Sequence, residues 1–373
     1  MDASQFKDLN PSPRLLLGPG PSMVHPRVLR TMATPLVGHL DPEFLVIMNE
    51  TQQLLRYVFQ TTNELTIPIS GTGSAGMEAA LCNLIEPGDN VLIAVIGYFG
   101  ERLVEMAKRY GANVDRLDRP WGEIFDPAEI EKQLRQKKYK LLAFVQAETS
   151  TGALQLDVKA LTAAAHKHGA LVVMDCVTSL GGVPVQVDDW EVDIAYSCSQ
   201  KCLSCPPGLA PITVSPRARD FLRARKTPVA NWYLDLTMVE KYWGNERTYH
   251  HTAPITMNYA LREGLRIVAE EGLDARFARH RANAEMLWAG LEEIDLPPFV
   301  PLKHRLPSLT TCALSPRLDD AGGRKRLLDE YNIEIAGGFG QLKDKIWRIG
   351  LMGYGSRREN IALLLSALRN LLA

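Results

Sequence analysis

Thr66-Ile-Pro-Ile-Ser-Gly-Thr-Gly-Ser-Ala-Gly76 reads as a short apolar strand, a glycine turn and the opening of a helix. The glycines let the backbone approach a ligand closely, and the free N–H groups at a helix start favour a phosphate. Gly71, Gly73 and Gly76 match G-x-G-x-x-G. A dinucleotide site would also need an acidic residue at the end of the following strand, and that strand ends Ala94-Val95-Ile96. The phosphate cradle is therefore kept and the dinucleotide dropped. By itself the turn also reads as a device for tight packing.

Working outward, apolar runs of strand length recur at Val91–Val95, Leu141–Gln146, Leu171–Asp175, Ile194–Ser197 and Ala210–Val214. The first three, like Thr66–Ser70, are near-continuous rather than alternating, as in strands covered on both faces. Segments such as Gly100–Tyr110 and Val158–His168 carry apolar residues at helical spacing between them. This alternation predicts an α/β protein with a mostly parallel sheet. Beyond residue 255 the rhythm changes. Pro254–Leu291 reads as two helices broken near Gly272. Strands follow at Leu309–Leu314, Ile333–Ala336 and Ile346–Ile349, with helices around Gly323–Tyr331 and Arg358–Leu372. The expected organisation is an arm (1–22), a large domain (23–255), interdomain helices (256–296) and a small α+β domain (297–373).

The 373 residues are 46% hydrophobic and 23% charged, with a formal net charge of −1. Such a balance lacks the electrostatic footprint of a nucleic-acid binder. No run approaches the roughly 20 apolar residues of a membrane helix. The N-terminal stretch MDASQFKDLNPSPR has no basic region followed by an apolar core, and the six cysteines suit a reducing compartment, so a cytoplasmic protein with neither membrane nor nucleic-acid partner is expected.

Two side chains then carry chemistry. Asp175 ends an apolar strand, where carboxylates face the ligand crevice of parallel sheets. It can serve a magnesium ion, a protonated ring nitrogen or simply a turn. The magnesium reading fails because the chain has no G-x-x-x-x-G-K-[ST]. Lys201 follows the strand Ile194–Ser197 closely and is the single charge between Ile194 and Ser215. A lysine placed so is partly desolvated, which lowers its pKa and suits a Schiff-base amine, though most lysines are merely solvated. A phosphate loop, a strand-end Asp and then a Lys is far more specific than any one of them. Around that lysine, Cys198, Cys202 and Cys205 have the C-x3-C-x2-C spacing of an iron–sulfur motif. Their position after some six strands, rather than one, favours small buried thiols.

These residues resemble class V aminotransferases of the fold-type I pyridoxal phosphate superfamily, in particular the alanine–glyoxylate (serine–pyruvate) aminotransferases. The resemblance runs through Leu17-Gly-Pro-Gly-Pro-Ser22, Ser70–Ser74, Glu148-Thr-Ser-Thr-Gly152, Asp175, Ser199-Gln-Lys201, Pro206-Pro-Gly208, Tyr249-His-His-Thr252 and Arg348-Ile-Gly-Leu351. It implies a seven-stranded sheet, a small C-terminal domain and pyridoxal 5'-phosphate held by Lys201. Asp175 is then the partner of the pyridinium N–H, Phe99 the residue stacked on the ring, and Thr149 the donor to its phenolic oxygen. Thr72, Gly73, Ser74 and Gln200 hold the phosphate, joined across a homodimer by Tyr249 and Thr252. Arg348, assisted by Pro19 and Gly20, clamps the substrate carboxylate. No second arginine stands in a matching motif, which favours alanine, serine, glycine and glyoxylate over dicarboxylic substrates. The implied reaction is ping-pong transfer from L-alanine to glyoxylate. The alternatives are serine–glyoxylate or serine–pyruvate transfer and, more distantly, a cysteine desulfurase-type lyase or an iron–sulfur protein. The lyase would need a mobile nucleophilic thiol in the small domain, where Cys312, the one cysteine, lies in an apolar strand.

Overall fold

The structure, a computed structural model, describes residues 1–372, so Ala373, the last residue of the expected small domain, lies outside the described residues. Seven strands form the central sheet: β1 (Leu65–Ser70), β2 (Asn90–Val95), β3 (Asn113–Asp118), β4 (Leu141–Val145), β5 (Leu171–Asp175), β6 (Ile194–Tyr196) and β7 (Leu209–Val214). Their spatial order is β1-β7-β6-β5-β4-β2-β3. All run in one direction except β7, which is antiparallel to both β1 and β6. Side-chain alternation splits each inner strand between two cores. Val91, Ile93, Val95, Leu141, Ala143, Val145, Leu171 and Val173 enter one cluster, whereas Leu92, Ala94, Leu142, Phe144, Val172 and Met174 enter the other. Burial on both faces is why these strands read as unbroken apolar runs.

The strand β3 had no such run. Asn113-Val-Asp-Arg-Leu-Asp118 holds only Val114 and Leu117 among polar residues and lies at the sheet edge, partly exposed. Charged residues there discourage pairing with another chain. Helices cover the sheet: α1 (Pro42–Phe59), α2 (Gly73–Leu84) and α3 (Tyr98–Arg109). The break near Gly272 is present, with α4 (Ile255–Glu271) and α5 (Leu273–Glu292) meeting at that glycine, whose φ is +80°.

A second, three-stranded antiparallel sheet follows, from β8 (Leu309–Ala313), β9 (Ala336–Gly337) and β10 (Ile346–Gly350), with β10 central. Helices α6 (Asp320–Tyr331) and α7 (Arg358–Leu372) join it. The expected strand Ile333–Ala336 divides in two. Ile333–Glu334 pairs in parallel with Leu15–Leu16, and Ala336–Gly337 pairs with β10. The N-terminal arm claims the first half, and Leu17 is buried in the third core beside Leu287, Trp347, Ile349 and Leu364.

Candidate active site

Strand register brings the sequence-distant residues together. Asp175 at the end of β5 lies opposite Val145 on one side and Tyr196 on the other. The segments leaving β4, β5 and β6 therefore emerge side by side, at the strand C-termini where ligands of such sheets bind. Asp175 is buried. Its Oδ1 accepts the Val177 N–H at 2.8 Å and its Oδ2 accepts the Tyr196 hydroxyl at 2.8 Å. Burial pushes its carboxyl up to about 7, against the pull of those bonds and of Lys201.

Lys201 is only 8% exposed, and its Nζ donates to the Pro19 carbonyl. Burial lowers its pKa. The loop and the arm are tied together: the Ser22 N–H donates to the Gln200 carbonyl at 2.8 Å, and the Ser22 hydroxyl to the Lys201 carbonyl at 2.6 Å. Gly20, with φ of +115°, leaves room for the lysine, since a Cβ there would lie 2.6 Å from Nζ.

On the glycine loop, the Gly71 N–H donates to the Gly208 carbonyl at 2.9 Å. Thr72 is the N-cap of α2 and its hydroxyl makes no capping bond. Gly73 backs onto Cys198, so closely that a Cβ on the glycine would stand 3.1 Å from the cysteine Cβ. Ser74 accepts a bond from Arg102 Nη1 at 3.1 Å. Thr149 and Thr178 share a hydroxyl–hydroxyl bond of 2.5 Å. The Gln200 side-chain oxygen is buried without a partner among the described residues. Phe99 lies in the first turn of α3, its ring 4.9 Å from the Arg102 guanidinium.

Arg348 projects from β10 and is 3% exposed. Its Nε donates to the Gly337 carbonyl at 2.7 Å, and no carboxylate pairs with it among the described residues. Burial holds it down at about 10, opposed by the charge of Glu148. Arg348, Lys201, Asp175 and Glu148 are close enough to shift one another's protonation.

Tyr249 and Thr252 stand apart from this group. Tyr249 is 58% exposed, with its ring 5.3 Å from His39, and Thr252 is exposed. Neither side chain makes a hydrogen bond among the described residues. The neighbouring His251 does reach the glycine loop, through a 2.7 Å bond between its Nε2 and Ser70.

The three clustered thiols do not converge. Cys198 faces Gly73, Cys202 donates to the Thr178 carbonyl, and Cys205 lies against the Ala260 carbonyl. Among the described residues no three His, Cys, Asp or Glu side chains stand close enough to hold a metal ion. Cys312 is fully buried in β8, and burial pushes its thiol up to about 12, far from a mobile nucleophile.

Several residues near the site had no role from the sequence. Glu148 was inside a recognised motif but unassigned. It is fully buried; Oε1 accepts from the Ser150 N–H at 3.0 Å and the Ser150 hydroxyl at 2.6 Å, while Oε2 has no partner among the described residues. Tyr196, Thr178 and Arg102 likewise orient Asp175, Thr149 and Ser74. Arg102 is a second arginine close to the site, but on its glycine-loop side.

The residues fit pyridoxal phosphate. A buried amine held toward its neutral form suits a carbonyl, and a buried carboxyl bonded only to the Val177 N–H and the Tyr196 hydroxyl suits a cationic ring N–H, which would favour its charged form. The glycine loop and α2 provide free donors for a phosphate.

The comparisons agree. The model of the family described as Aminotransferase class-V matches residues 16–350. The chain is 44% identical over 377 residues to (S)-ureidoglycine–glyoxylate transaminase of Bacillus subtilis, covering 96% of this chain and 90% of that protein. It is 41% identical over 370 residues to alanine–glyoxylate aminotransferase of Mus musculus, covering 98% and 89%. The crystal structure of alanine–glyoxylate aminotransferase from Nostoc sp. superposes with a TM-score of 0.98 at 52% identity, over 100% of both chains. With its doubly covered sheet, glycine loop and buried Asp175–Lys201 pair, the chain belongs to the class V aminotransferases and is a pyridoxal phosphate-dependent enzyme.

Proposed function

We propose that the enzyme transfers the amino group of L-alanine to glyoxylate, releasing pyruvate and glycine in two half-reactions at one site. Glyoxylate is named for all three relatives, and alanine for those of mouse and Nostoc. The observation that carries the reading is Arg348: one buried guanidinium with its Nη edge free, matched to a single carboxylate.

Bound pyridoxal phosphate supplies an electron sink that acidifies the hydrogen on the substrate's Cα. Lys201 is the amine that holds the cofactor and then, as a neutral base, takes the Cα proton and returns it. Its burial lowers its pKa, which favours the neutral amine that this role needs. Asp175 accepts the ring N–H, with Tyr196 and Val177 fixing its orientation. Phe99 offers the stacking face, Thr149 the hydroxyl for the phenolic oxygen, and Thr72, Gly73, Ser74 and Gln200 the phosphate contacts. Arg348, with the backbone at Pro19 and Gly20, orients the substrate carboxylate. Tyr249 and Thr252 complete the site of a second copy in a homodimer, which agrees with their exposure and free hydroxyls. The division into an arm (1–22), large domain (23–255), joining helices (256–296) and small domain (from 297) belongs to the same proposal. So does a cytoplasmic setting, which suits six unpaired cysteines.

The test is the visible spectrum of the purified holoenzyme before and after L-alanine alone. Loss of the yellow colour, and its return with glyoxylate, is the expected result. A yellow protein that ignores alanine but bleaches with L-serine or (S)-ureidoglycine would transfer the donor assignment accordingly.

A further inference from the structure

The loop Gly337-Gly338-Phe339-Gly340 presents one side chain among glycines, and that side chain lies over the substrate arginine. The Phe339 ring is 3.9 Å from the Arg348 guanidinium carbon and 5.1 Å from the Tyr98 ring. Tyr98 in turn meets Phe99 edge-on at 5.8 Å. A continuous line of rings thus joins the three-stranded sheet to α3, from Arg348 to the residue assigned to the cofactor.

The loop's course keeps the ring there. Gly340 has φ of +48°, and a Cβ on Gly338 would overlap the Leu342 carbonyl. Side chains at either position would displace the turn. Meanwhile Arg348 has little surface left. Its Nε is committed to the Gly337 carbonyl and one face is covered by Phe339, which leaves the Nη edge. A carboxylate gripping that edge bidentately lies in the guanidinium plane. The atoms attached to the carboxylate then run alongside the Phe339 ring, with Tyr98 behind it.

We propose that Phe339, backed by Tyr98, is a specificity-determining residue that limits the length of the amino donor's side chain. This rests on the reading of Arg348 as the carboxylate site. Discrimination by one methylene in a fitted apolar space reaches about 10–200-fold, so a short wall of two rings suffices to separate alanine from longer homologues. The partly exposed position of Phe339, at 38%, makes substitutions there compatible with folding.

The experiment uses holoenzyme of the wild type, Phe339→Ala and Phe339→Leu. Bleaching rates are measured with L-alanine, L-2-aminobutyrate and L-norvaline. Calorimetry gives Kd for acetate, propionate, butyrate and valerate, which bind without reacting. For the wild type, the bleaching rate is expected to fall about ten-fold or more for each added carbon. Phe339→Ala is expected to raise the norvaline-to-alanine ratio about ten-fold or more and the relative affinity for valerate in parallel, with Phe339→Leu between. Unchanged ratios in Phe339→Ala, or a wild type indifferent to chain length, would overturn the proposal. A wild type that none of these donors bleaches, yet whose carboxylate affinities depend on length in a way Phe339→Ala relieves, would remove alanine as donor and keep the size limit. Carboxylate binding that survives Arg348→Gln unchanged would remove both.

Discussion

Asp175 and Lys201 are both ionisable, both buried and both pushed toward their neutral forms by the loss of water around them. Before cofactor arrives, the carboxylate of Asp175 is therefore a cost to folding. Its ordinary value of 3.8 rises to about 7 in the folded chain. The folded state accordingly holds this proton over a pH range where the unfolded chain has released it. The favourable contribution is full below about pH 4 and is lost as pH rises through about 7. Asp175→Asn removes the cost. The cofactor-free variant is expected to gain stability over wild type at pH 8, by at most about 4 kcal/mol, with no gain near pH 4. Its affinity for cofactor should fall at pH 8. Denaturant unfolding of the cofactor-free proteins at the two pH values, with a cofactor titration, checks both halves. At this scale the sequence was informative where a charge stood alone at a strand end, as for Asp175 and Lys201. It was silent on Glu148, because a carboxylate inside a polar motif carries no mark of being buried.

Among the elements, α3 is anchored at its start by Ser150, whose hydroxyl accepts the Tyr98 N–H at 2.9 Å, and by Glu148. The Oε1 of Glu148 accepts from the Phe99 N–H at 3.4 Å at the start of the helix, where unpaired donors and the helix dipole favour a carboxylate. Gly97, the residue before that helix, permits the approach: a Cβ there would overlap the Glu148 carboxyl and the Ser150 hydroxyl. Its φ of 173° is ordinary extended backbone, so the need for glycine is spatial. Gly97→Ala is expected to destabilise the protein by about 1–3 kcal/mol and to move the cofactor's absorption maximum, because the shifted helix start carries Phe99. A melting curve and a spectrum of the variant suffice as the check. Element prediction worked best where both faces of a strand are covered, as in β2, β4 and β5. It missed β3, whose polar edge residues look like a loop, and it merged Ile333–Glu334 with Ala336–Gly337. Their separate partners, the arm and β10, are chosen by long-range pairing.

For the whole molecule, the proposal that Tyr249 and Thr252 serve a second copy's site predicts complementation. Lys201→Ala and a double Tyr249→Ala, Thr252→Ala variant are each expected to be nearly inactive alone. When they are mixed through dissociation and reassociation, half the dimers are hybrids, and each hybrid has one intact site. Activity should return to about a quarter of wild type. A mixture no more active than its parts would mean that each chain builds its own site. The alternation of apolar strands and helices, the glycine turn before α2 and the solitary charges at Asp175 and Lys201 are local patterns. Burial on two faces, backbone freedom and desolvation write them into neighbouring residues, and for that reason they are legible along the chain. The meeting of Lys201 with Pro19, of Ser74 with Arg102, and of Arg348 with Phe339 is of another kind. Those contacts arise from sheet register and from the packing of the second sheet and the arm against the first. No short-range pattern encodes such distances, so they emerge only from the folded chain.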